Sequence, residues 1–183
     1  MMLFSLVTIV RAQSITKARF ILSRECDNFR SIELELDDKY LVGISSTGDL
    51  EYVETLNGEE LFEGDCERQG IPIKYYTNFD IHDIPGRIKS IGNIKIAYNN
   101  TFDIHDISGT LKSIGDIHIK YYNTFDIHDP KGKVKSVGNV NIKYYNSFDW
   151  DRKFGEIKCI SGNSSLLAVV RGRGYPSRND SER

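Results

Sequence analysis

The sequence has few of the residues from which disulfide frameworks, metal clusters and membrane spans are built. Its 183 residues include 3 Cys, 4 Pro and 1 Trp. Cys26, Cys66 and Cys159 lie far apart, with no C-x-x-C or Cys/His metal spacing, so they predict at most one disulfide, whose pairing stays open. No apolar run approaches the roughly 20 residues that a transmembrane helix needs, so no such helix is predicted.

The sequence also lacks a dominant charge and any catalytic motif. The formal net charge is −2, so nothing global indicates nucleic acid or an acidic membrane as a partner. There is no nucleophile elbow, no Cys-His motif and no nucleotide-binding loop, and the carboxylates are spread in a regular array. Because an active site needs one convergence of groups, we predict a non-enzymatic protein without a cofactor.

The dominant feature is a 23-residue segment that occurs four times between Ile71 and Gly162. An idealised copy reads IKIKYYNTFDIHDxxGxxKSIGN, and the copies begin at Ile71, Ile94, Ile117 and Val140. Repetition at a fixed period predicts a stacked array of one structural unit. Such an array presents a repeated surface and not a single reaction centre.

Each copy alternates apolar and polar residues with the period of a β-strand. Ile94, Ile96 and Tyr98 would point to one side and Lys95 to the other. We expect this strand to continue through the Phe-Asp-Ile segment, followed by an Asp-x-x-Gly turn, a short strand and a Gly-Asn or Gly-Asp hairpin turn. The predicted fold is all-β: an antiparallel meander of tandem 23-residue β-hairpin repeats in an open twisted sheet or hairpin solenoid. A closed barrel is the alternative.

The segments that flank the repeats complete the predicted organisation. Residues 1–12 combine a short apolar run with small residues at Val10 and Ala12, so we expect a signal peptide and a secreted or periplasmic protein. The usual basic segment is missing, which leaves open a truncated start, and a buried first strand is the alternative. Residues 13–70 predict an N-terminal β cap, in which 58–70 is a loop or worn hairpin. A last short strand at 163–170 and a polar tail at 171–183 follow.

The polar face of the repeated strand supplies the candidate binding residues. Its tyrosines offer flat apolar rings with polar tips, and its lysines offer charge, so together they could form a platform for a glycan or a protein at the cell surface. The candidates are Tyr76, Tyr122, Tyr145, Lys74, Lys120 and Lys143. The alternative is that both residue types simply cover a solvated face. The tyrosines on the opposite face, Tyr75, Tyr98, Tyr121 and Tyr144, are expected in the core.

A second lysine column, Lys89, Lys112, Lys135 and Lys158, occurs in all four copies. It could protect the sheet from aggregation, pair with an aspartate across strands, or form a stripe for a polyanion. Cys159 occupies the position that is Ser in the other copies, so we expect it to be small and semi-buried.

The Asp-Ile-His-Asp loops raise an alternative function, metal binding, because imidazole and carboxylate bind transition metals and calcium. The residues concerned are Asp80, His82, Asp83, Asp103, His105, Asp106, Asp126, His128 and Asp129. Equivalent histidines in an open hairpin array would lie roughly 9–10 Å apart, too far for one shared ion. Copy four keeps Asp149 but has no His, which favours a turn-forming role for the first Asp.

The Ile-Lys-Tyr-Tyr-x-x-Phe-Asp pattern with Gly-x-x-Lys-Ser-Ile-Gly, best seen at 140–149, resembles tandem repeats of uncharacterised exported bacterial proteins. That resemblance covers residues 71–162 and implies export and repetition only. A looser likeness to choline-binding and MORN hairpin repeats carries over no ligand, because the ligand-cage Trp residues and the Gly-rich pattern are absent. The sequence therefore predicts a non-enzymatic exported structural or binding module.

Overall fold

The computed structural model describes residues 13–23, 28–150 and 153–172. The predicted signal segment 1–12, Cys26 and nearly all of the predicted tail lie outside the described residues. The described residues form 13 strands and one short helix. In chain order these are β1 Ile15–Leu22, β2 Phe29–Leu36, β3 Tyr40–Ser45, β4 Leu50–Thr55, α1 Glu63–Arg68, β5 Ile73–Tyr75, β6 Ile88–Ile91, β7 Ile94–Tyr98, β8 Leu111–Ile114, β9 Ile117–Tyr121, β10 Val134–Val137, β11 Val140–Tyr144, β12 Ile157–Ser161 and β13 Leu167–Arg171.

The repeats form one open antiparallel sheet. Its strand order is β12-β11-β10-β9-β8-β7-β6-β5, so each strand pairs with its sequence neighbours. All of these pairs are antiparallel. The two ends of the sheet, β5 and β12, do not meet. The prediction of an all-β array of hairpin repeats is confirmed, and the described sheets are not closed into a barrel.

The second sheet has the order β13-β1-β2-β3-β4 and collects the segments on either side of the repeats. The predicted last strand exists, but it pairs with β1 in parallel, with Ala18 opposite Leu167 and Phe20 opposite Val169. It therefore joins the N-terminal sheet and does not extend the repeat array. Alternation in a sequence identifies a strand but not its partner, so this parallel pair was not predicted.

The alternation within each copy gives the sheet one buried and one exposed face. Ile94, Ile96 and Tyr98 are buried, whereas Lys95 between them is exposed. The hairpin turn before β7 needs a residue with left-handed backbone geometry, and Gly92 supplies it with φ 58°. Sequence pattern and turn chemistry thus agree on the same hairpin.

The two sheets share one hydrophobic core. Side chains from both contribute to a single cluster of buried residues. A specific junction forms at Gly48, whose carbonyl oxygen accepts the N–H of Ile88 at 3.1 Å and the hydroxyl of Tyr98 at 3.4 Å. The repeat sheet is therefore anchored to the N-terminal sheet by burial and by these bonds.

Three local expectations were wrong. The long strands do not continue through the Phe-Asp-Ile segment but end at Tyr75, Tyr98, Tyr121 and Tyr144. They end there because the following Asp side chain captures a backbone N–H and turns the chain, as described below. Residues 58–70 begin as a short hairpin, with an antiparallel bridge between Glu54 and Glu60, but they then form α1, which was not expected. In α1, Asp65 accepts the N–H of Phe62 at 3.2 Å and Cys66 is fully buried.

Cys159 is the third correction, because it is exposed and not semi-buried. Its equivalents Ser90, Ser113 and Ser136 lie on strands with a neighbour on each side. Cys159 lies on β12, the edge of the sheet, and faces only Lys143 of β11. It is not joined to Cys66.

Candidate functional site

The loop between the two strands of each copy is shaped by its first aspartate. In copy three, Asp126 Oδ2 accepts the N–H of Asn123 at 3.0 Å, and Asn123 Oδ1 accepts the N–H of Phe125 at 3.0 Å. The loop closes where the Gly132 N–H donates to the Tyr122 carbonyl at 2.7 Å. Equivalent bonds recur in the other copies. The first Asp is therefore a turn-forming residue, as expected.

The same aspartate holds the lysine of the second lysine column. The ion pairs are Lys89–Asp80 at 2.5 Å, Lys112–Asp103 at 2.6 Å, Lys135–Asp126 at 2.6 Å and Lys158–Asp149 at 2.5 Å. Three of these lysines also lie over a tyrosine ring, for example Lys135 Nζ at 5.1 Å from the Tyr122 centroid. Of the three hypotheses for these four lysines, the structure shows pairing with an aspartate.

These contacts lower the pKa of the aspartates. At Asp80, Asp103 and Asp149, the hydrogen bond from the lysine contributes most, followed by the loop N–H, and the pKa lies below its ordinary value. At Asp126, burial acts most strongly and in the opposite direction. The bonds from Lys135 and Asn123 still bring the pKa of Asp126 down. The four aspartates are thus held as carboxylates by their surroundings.

Each histidine of the Asp-Ile-His-Asp loops packs on the phenylalanine of the next copy. The ring centroids of His82 and Phe102, His105 and Phe125, and His128 and Phe148 are 4.4, 4.4 and 4.1 Å apart. Phe79 in copy one has no preceding copy and is 95% exposed. Copy four has no following copy, and its sequence has Asp151 in place of His. The histidine is therefore found in the three copies that are followed by another copy, whose phenylalanine it contacts.

This arrangement keeps the candidate metal ligands in separate loops. Within residues 13–23, 28–150 and 153–172, no group of three or more His, Cys, Asp or Glu side chains could hold a metal ion. Each first aspartate pairs with a lysine, and each histidine packs on the phenylalanine of the next copy. The metal hypothesis has no donor cluster in this part of the chain.

The tyrosines of the predicted platform are less accessible than the sequence indicated. Tyr122 is 7% exposed, and Tyr76 and Tyr145 are half-buried. Tyr76 donates its hydroxyl to the Ile96 carbonyl at 3.0 Å, and Tyr122 to the Ile142 carbonyl at 3.1 Å, each in the following copy. Their rings pack edge-on against Tyr98 and Tyr144. Tyr76 and Tyr122 therefore join adjacent copies, which leaves little of their ring surface for a ligand. The binding role of all three tyrosines stays a prediction.

The lysines of the predicted platform, unlike its tyrosines, are accessible on the surface. Lys74, Lys120 and Lys143 are exposed. None of the ion pairs among the described residues involves them. They can therefore contact a ligand without first giving up an internal partner.

Two grooves bring several of these residues together. Groove 2/3, between copies two and three, encloses about 540 Å³, and groove 3/4, between copies three and four, about 810 Å³. Lys120 lines the first, and Lys143 and Tyr122 line the second. Most residues that line groove 2/3 have an equivalent 23 positions later in the lining of groove 3/4. These equivalent pairs include Asp106 and Asp129, Lys112 and Lys135, Lys120 and Lys143, Asn123 and Asn146, Phe125 and Phe148, Asp126 and Asp149, and Lys135 and Lys158. The fold thus forms the same groove twice.

Sequence reasoning missed the phenylalanines in these grooves. Phe125 and Phe148 are 71% and 67% exposed. They belong to a row of large apolar side chains on the same loops, all strongly exposed: Phe79, Ile81, Phe102, Ile104, Phe125, Ile127, Phe148 and Trp150. Of these residues, Phe125 lines groove 2/3 and Phe148 lines groove 3/4. The predicted continuation of the strand through Phe-Asp-Ile places these residues in the sheet, whereas the structure places them on the loops.

Comparison of the chain with protein-family models, with curated proteins and with solved structures finds no match. In the part of the chain that the structure describes, no helix has the length and apolar character needed to span a membrane. The grooves and loops of the repeats are therefore the features from which a function can be inferred.

Proposed function

We propose that the chain is a non-enzymatic exported binding module that holds one extended ligand across equivalent subsites. The observation that carries this proposal is the recurrence of one groove at a 23-residue interval, with the same Lys, Asp, Asn and Phe residues. Two equivalent grooves on one rigid sheet bind a repeating ligand more tightly than either would alone, because the second contact is intramolecular.

The polar groups in the grooves support binding without chemistry. Asp126 and Asp149 line the grooves, but each is fixed by a lysine and by a loop N–H. A carboxylate held in this way has a lowered pKa and is a poor proton acceptor near neutral pH. Such groups orient a ligand by hydrogen bonds and have little capacity to move its protons.

Lysine variants test the proposal. We expect Lys120→Ala/Lys143→Ala to weaken binding of any ligand that a glycan array or capture from cell-surface extracts identifies. Lys39→Ala/Lys95→Ala is the matched control: it removes the same charge from two exposed lysines that line neither groove. Equal loss in both variants would reflect general electrostatics and contradict the groove as the site.

The tyrosine contribution needs its own variant, because Tyr76 and Tyr122 also bridge copies. Tyr76→Phe/Tyr122→Phe keeps the rings and removes the hydroxyls. We expect a lower thermal unfolding midpoint with nearly unchanged ligand affinity. A loss of affinity at unchanged stability would instead assign these hydroxyls to the binding surface.

Export is the second part of the proposal and rests on residues 1–12 alone. Protein recovered from the export fraction of its host should begin at Gln13, after cleavage behind Ala12. N-terminal sequencing measures this directly, and an intact Met1 on exported protein would contradict it.

A further inference from the structure

The residues that line the two grooves restrict the chemical class of the ligand. Resting on the proposed function, we infer that the ligand is a neutral, extended polysaccharide whose sugar rings stack on Phe125 and Phe148 and whose hydroxyls bond to the charged groups beside them. Four observations carry this inference: the fixed exposed rings, the balance of charge, the mixture of donors and acceptors, and the spacing of the grooves.

The two phenylalanine rings are exposed and held in place. The backbone N–H of each donates to an asparagine two residues earlier, at 3.0 Å for Phe125 and 3.1 Å for Phe148. The imidazole of His105 or His128 covers part of each ring, while 71% and 67% of the two residues remain exposed. A fixed aromatic ring costs little conformational entropy when it binds, and the C–H face of a pyranose is a flat apolar partner for it.

The charges of the grooves are nearly balanced. Groove 3/4 is lined by three carboxylates and three ammonium groups, those of Asp126, Asp129, Asp149, Lys135, Lys143 and Lys158. Groove 2/3 has two carboxylates and three ammonium groups. A polyanion would have to approach the carboxylates, and a polycation the lysines, each at an electrostatic cost. A neutral ligand meets neither penalty.

The same groups provide both hydrogen-bond donors and acceptors for the hydroxyls of a sugar. Ammonium groups only donate hydrogen bonds, ionised carboxylates only accept them, and the side-chain amides of Asn123 and Asn146 do both. A sugar hydroxyl both donates and accepts, so a ring with several hydroxyls can use donors and acceptors that lie side by side. Aromatic stacking together with mixed polar contacts therefore fits a hydroxyl-rich sugar.

The spacing of the grooves favours a polymer. Equivalent positions in successive copies are separated by two strands of one antiparallel sheet, a distance of about 9–10 Å. An extended polysaccharide presents equivalent ring faces at regular intervals along its length. It can therefore occupy both grooves in one orientation, and affinity should rise when an oligosaccharide becomes long enough to reach the second groove.

The test is affinity electrophoresis of the full chain in gels that contain one polysaccharide each. Neutral probes are hydroxyethylcellulose, mixed-linkage β-glucan and galactomannan; the acidic probes are polygalacturonate and alginate. We expect retardation by at least one neutral polymer and none, or much less, by the acidic ones. Phe125→Ala/Phe148→Ala should weaken the neutral interaction by about tenfold or more.

Ile104→Ala/Ile127→Ala is the matched control, because it removes apolar side chains that are 79% and 74% exposed on the same loops and line neither groove. We expect its affinity to stay within about twofold of the parent chain, and thermal unfolding verifies that both variants fold. Retardation by none of the neutral polymers, preference for the acidic ones, or equal loss in both variants would overturn the inference.

The inference and the proposed function can fail separately. If the chain binds acidic polysaccharide or a protein, and Lys120→Ala/Lys143→Ala removes that binding, then the neutral-glycan inference is wrong and the grooves remain the binding site. If an identified ligand binds equally well to the lysine and the phenylalanine variants, then the grooves are not the site and the proposed function itself is wrong.

Discussion

The imidazole of His105 packs on the ring of Phe125 in the next copy, with 4.4 Å between the ring centroids. Two further pairs repeat this contact along the array. The contact gives the histidine a structural role and fixes a phenylalanine that lines groove 2/3. One residue thus links the stacking of the repeats to the shape of the candidate site.

The contact predicts the effect of removing the histidine. We expect His105→Ala to destabilise the fold by about 0.5–1 kcal/mol through loss of the ring contact and to increase the motion of the Phe125 ring. Thermal unfolding and ring NMR signals measure both effects. His118→Ala, an exposed strand position without such a ring pair among the described residues, is the control. An equally small effect of both substitutions would contradict the structural role.

Asp126 should contribute mainly through the loop and less through its ion pair. Asp126→Ala removes the acceptor for the Asn123 N–H, which resembles the loss of a helix cap and should cost about 1 kcal/mol. Lys135→Met removes the half-exposed ion pair and the contact of the ammonium group with the Tyr122 ring, and it should cost less, about 0.5 kcal/mol. Denaturant unfolding of both variants compares the two contributions. The reverse order would show that the lysine, and not the turn, is the important partner.

The four lysine–aspartate pairs predict sensitivity to acid. Folding lowers the pKa of Asp80, Asp103, Asp126 and Asp149, so their contribution to stability is fully present above the ordinary carboxylate pKa of about 3.9 and is lost as pH falls below it. Denaturant unfolding from pH 7 to pH 3 measures this loss. A variant with all four lysines changed to Gln should show a shallower dependence, and an unchanged dependence would refute the assignment.

The junction between the sheets should depend on Gly48 and Tyr98. Gly48 has a φ of 88°, and a Cβ there would run into the Tyr98 ring, so Gly48→Ala should destabilise the fold by about 1–3 kcal/mol. Tyr98→Phe removes a buried hydroxyl that bonds at 3.4 Å to Gly48 and 3.3 Å to Ile88, which should cost about 1 kcal/mol. Gly58→Ala is the matched control, since φ is 84° but nothing lies within reach of its Cβ. Equal effects of the two glycine substitutions would contradict close packing at this junction.

Thiol reactivity tests the edge of the repeat sheet. Cys159 is exposed on β12, whereas Cys66 is fully buried in α1 and burial raises the pKa of its thiol. A thiol reagent should modify Cys159 in the folded protein and reach Cys66 only on unfolding. Mass spectrometry of labelled peptides distinguishes the two sites. Protection of Cys159 in the folded protein would mean that the β12 edge is covered.

Periodicity predicted the repeat array well, because each copy combines strand alternation with turn residues at fixed positions. Ile94, Ile96 and Tyr98 point into the core as predicted, and the hairpin turn at Gly92 has the backbone geometry that its sequence demands. The parallel pairing of β1 and β13 was not predictable from the sequence. It depends on which edge of the N-terminal sheet lies beside β13 at the end of the repeat array.

The candidate site was only partly predictable, because identical residues in every copy can serve the fold or a ligand. Lys120 and Lys143 were identified correctly as exposed positions, and the structure adds that they line equivalent grooves. Alternation places the tyrosines of the same strands on this face, but the hydroxyls of Tyr76 and Tyr122 bond to the next copy, a contact that the pattern of a single strand does not contain. The exposure of Phe125 and Phe148 was missed because the strands end at Tyr121 and Tyr144, before the Phe-Asp-Ile segment.

Simultaneous occupation of both grooves can be measured by NMR titration of the isotopically labelled chain with a neutral β-glucan oligosaccharide long enough to span them. We expect the amide signals of residues 123–126 and 146–149 to shift together, while those of 29–55 in the N-terminal sheet stay in place. Shifts confined to the N-terminal sheet, or to one groove alone, would contradict a ligand held across equivalent subsites.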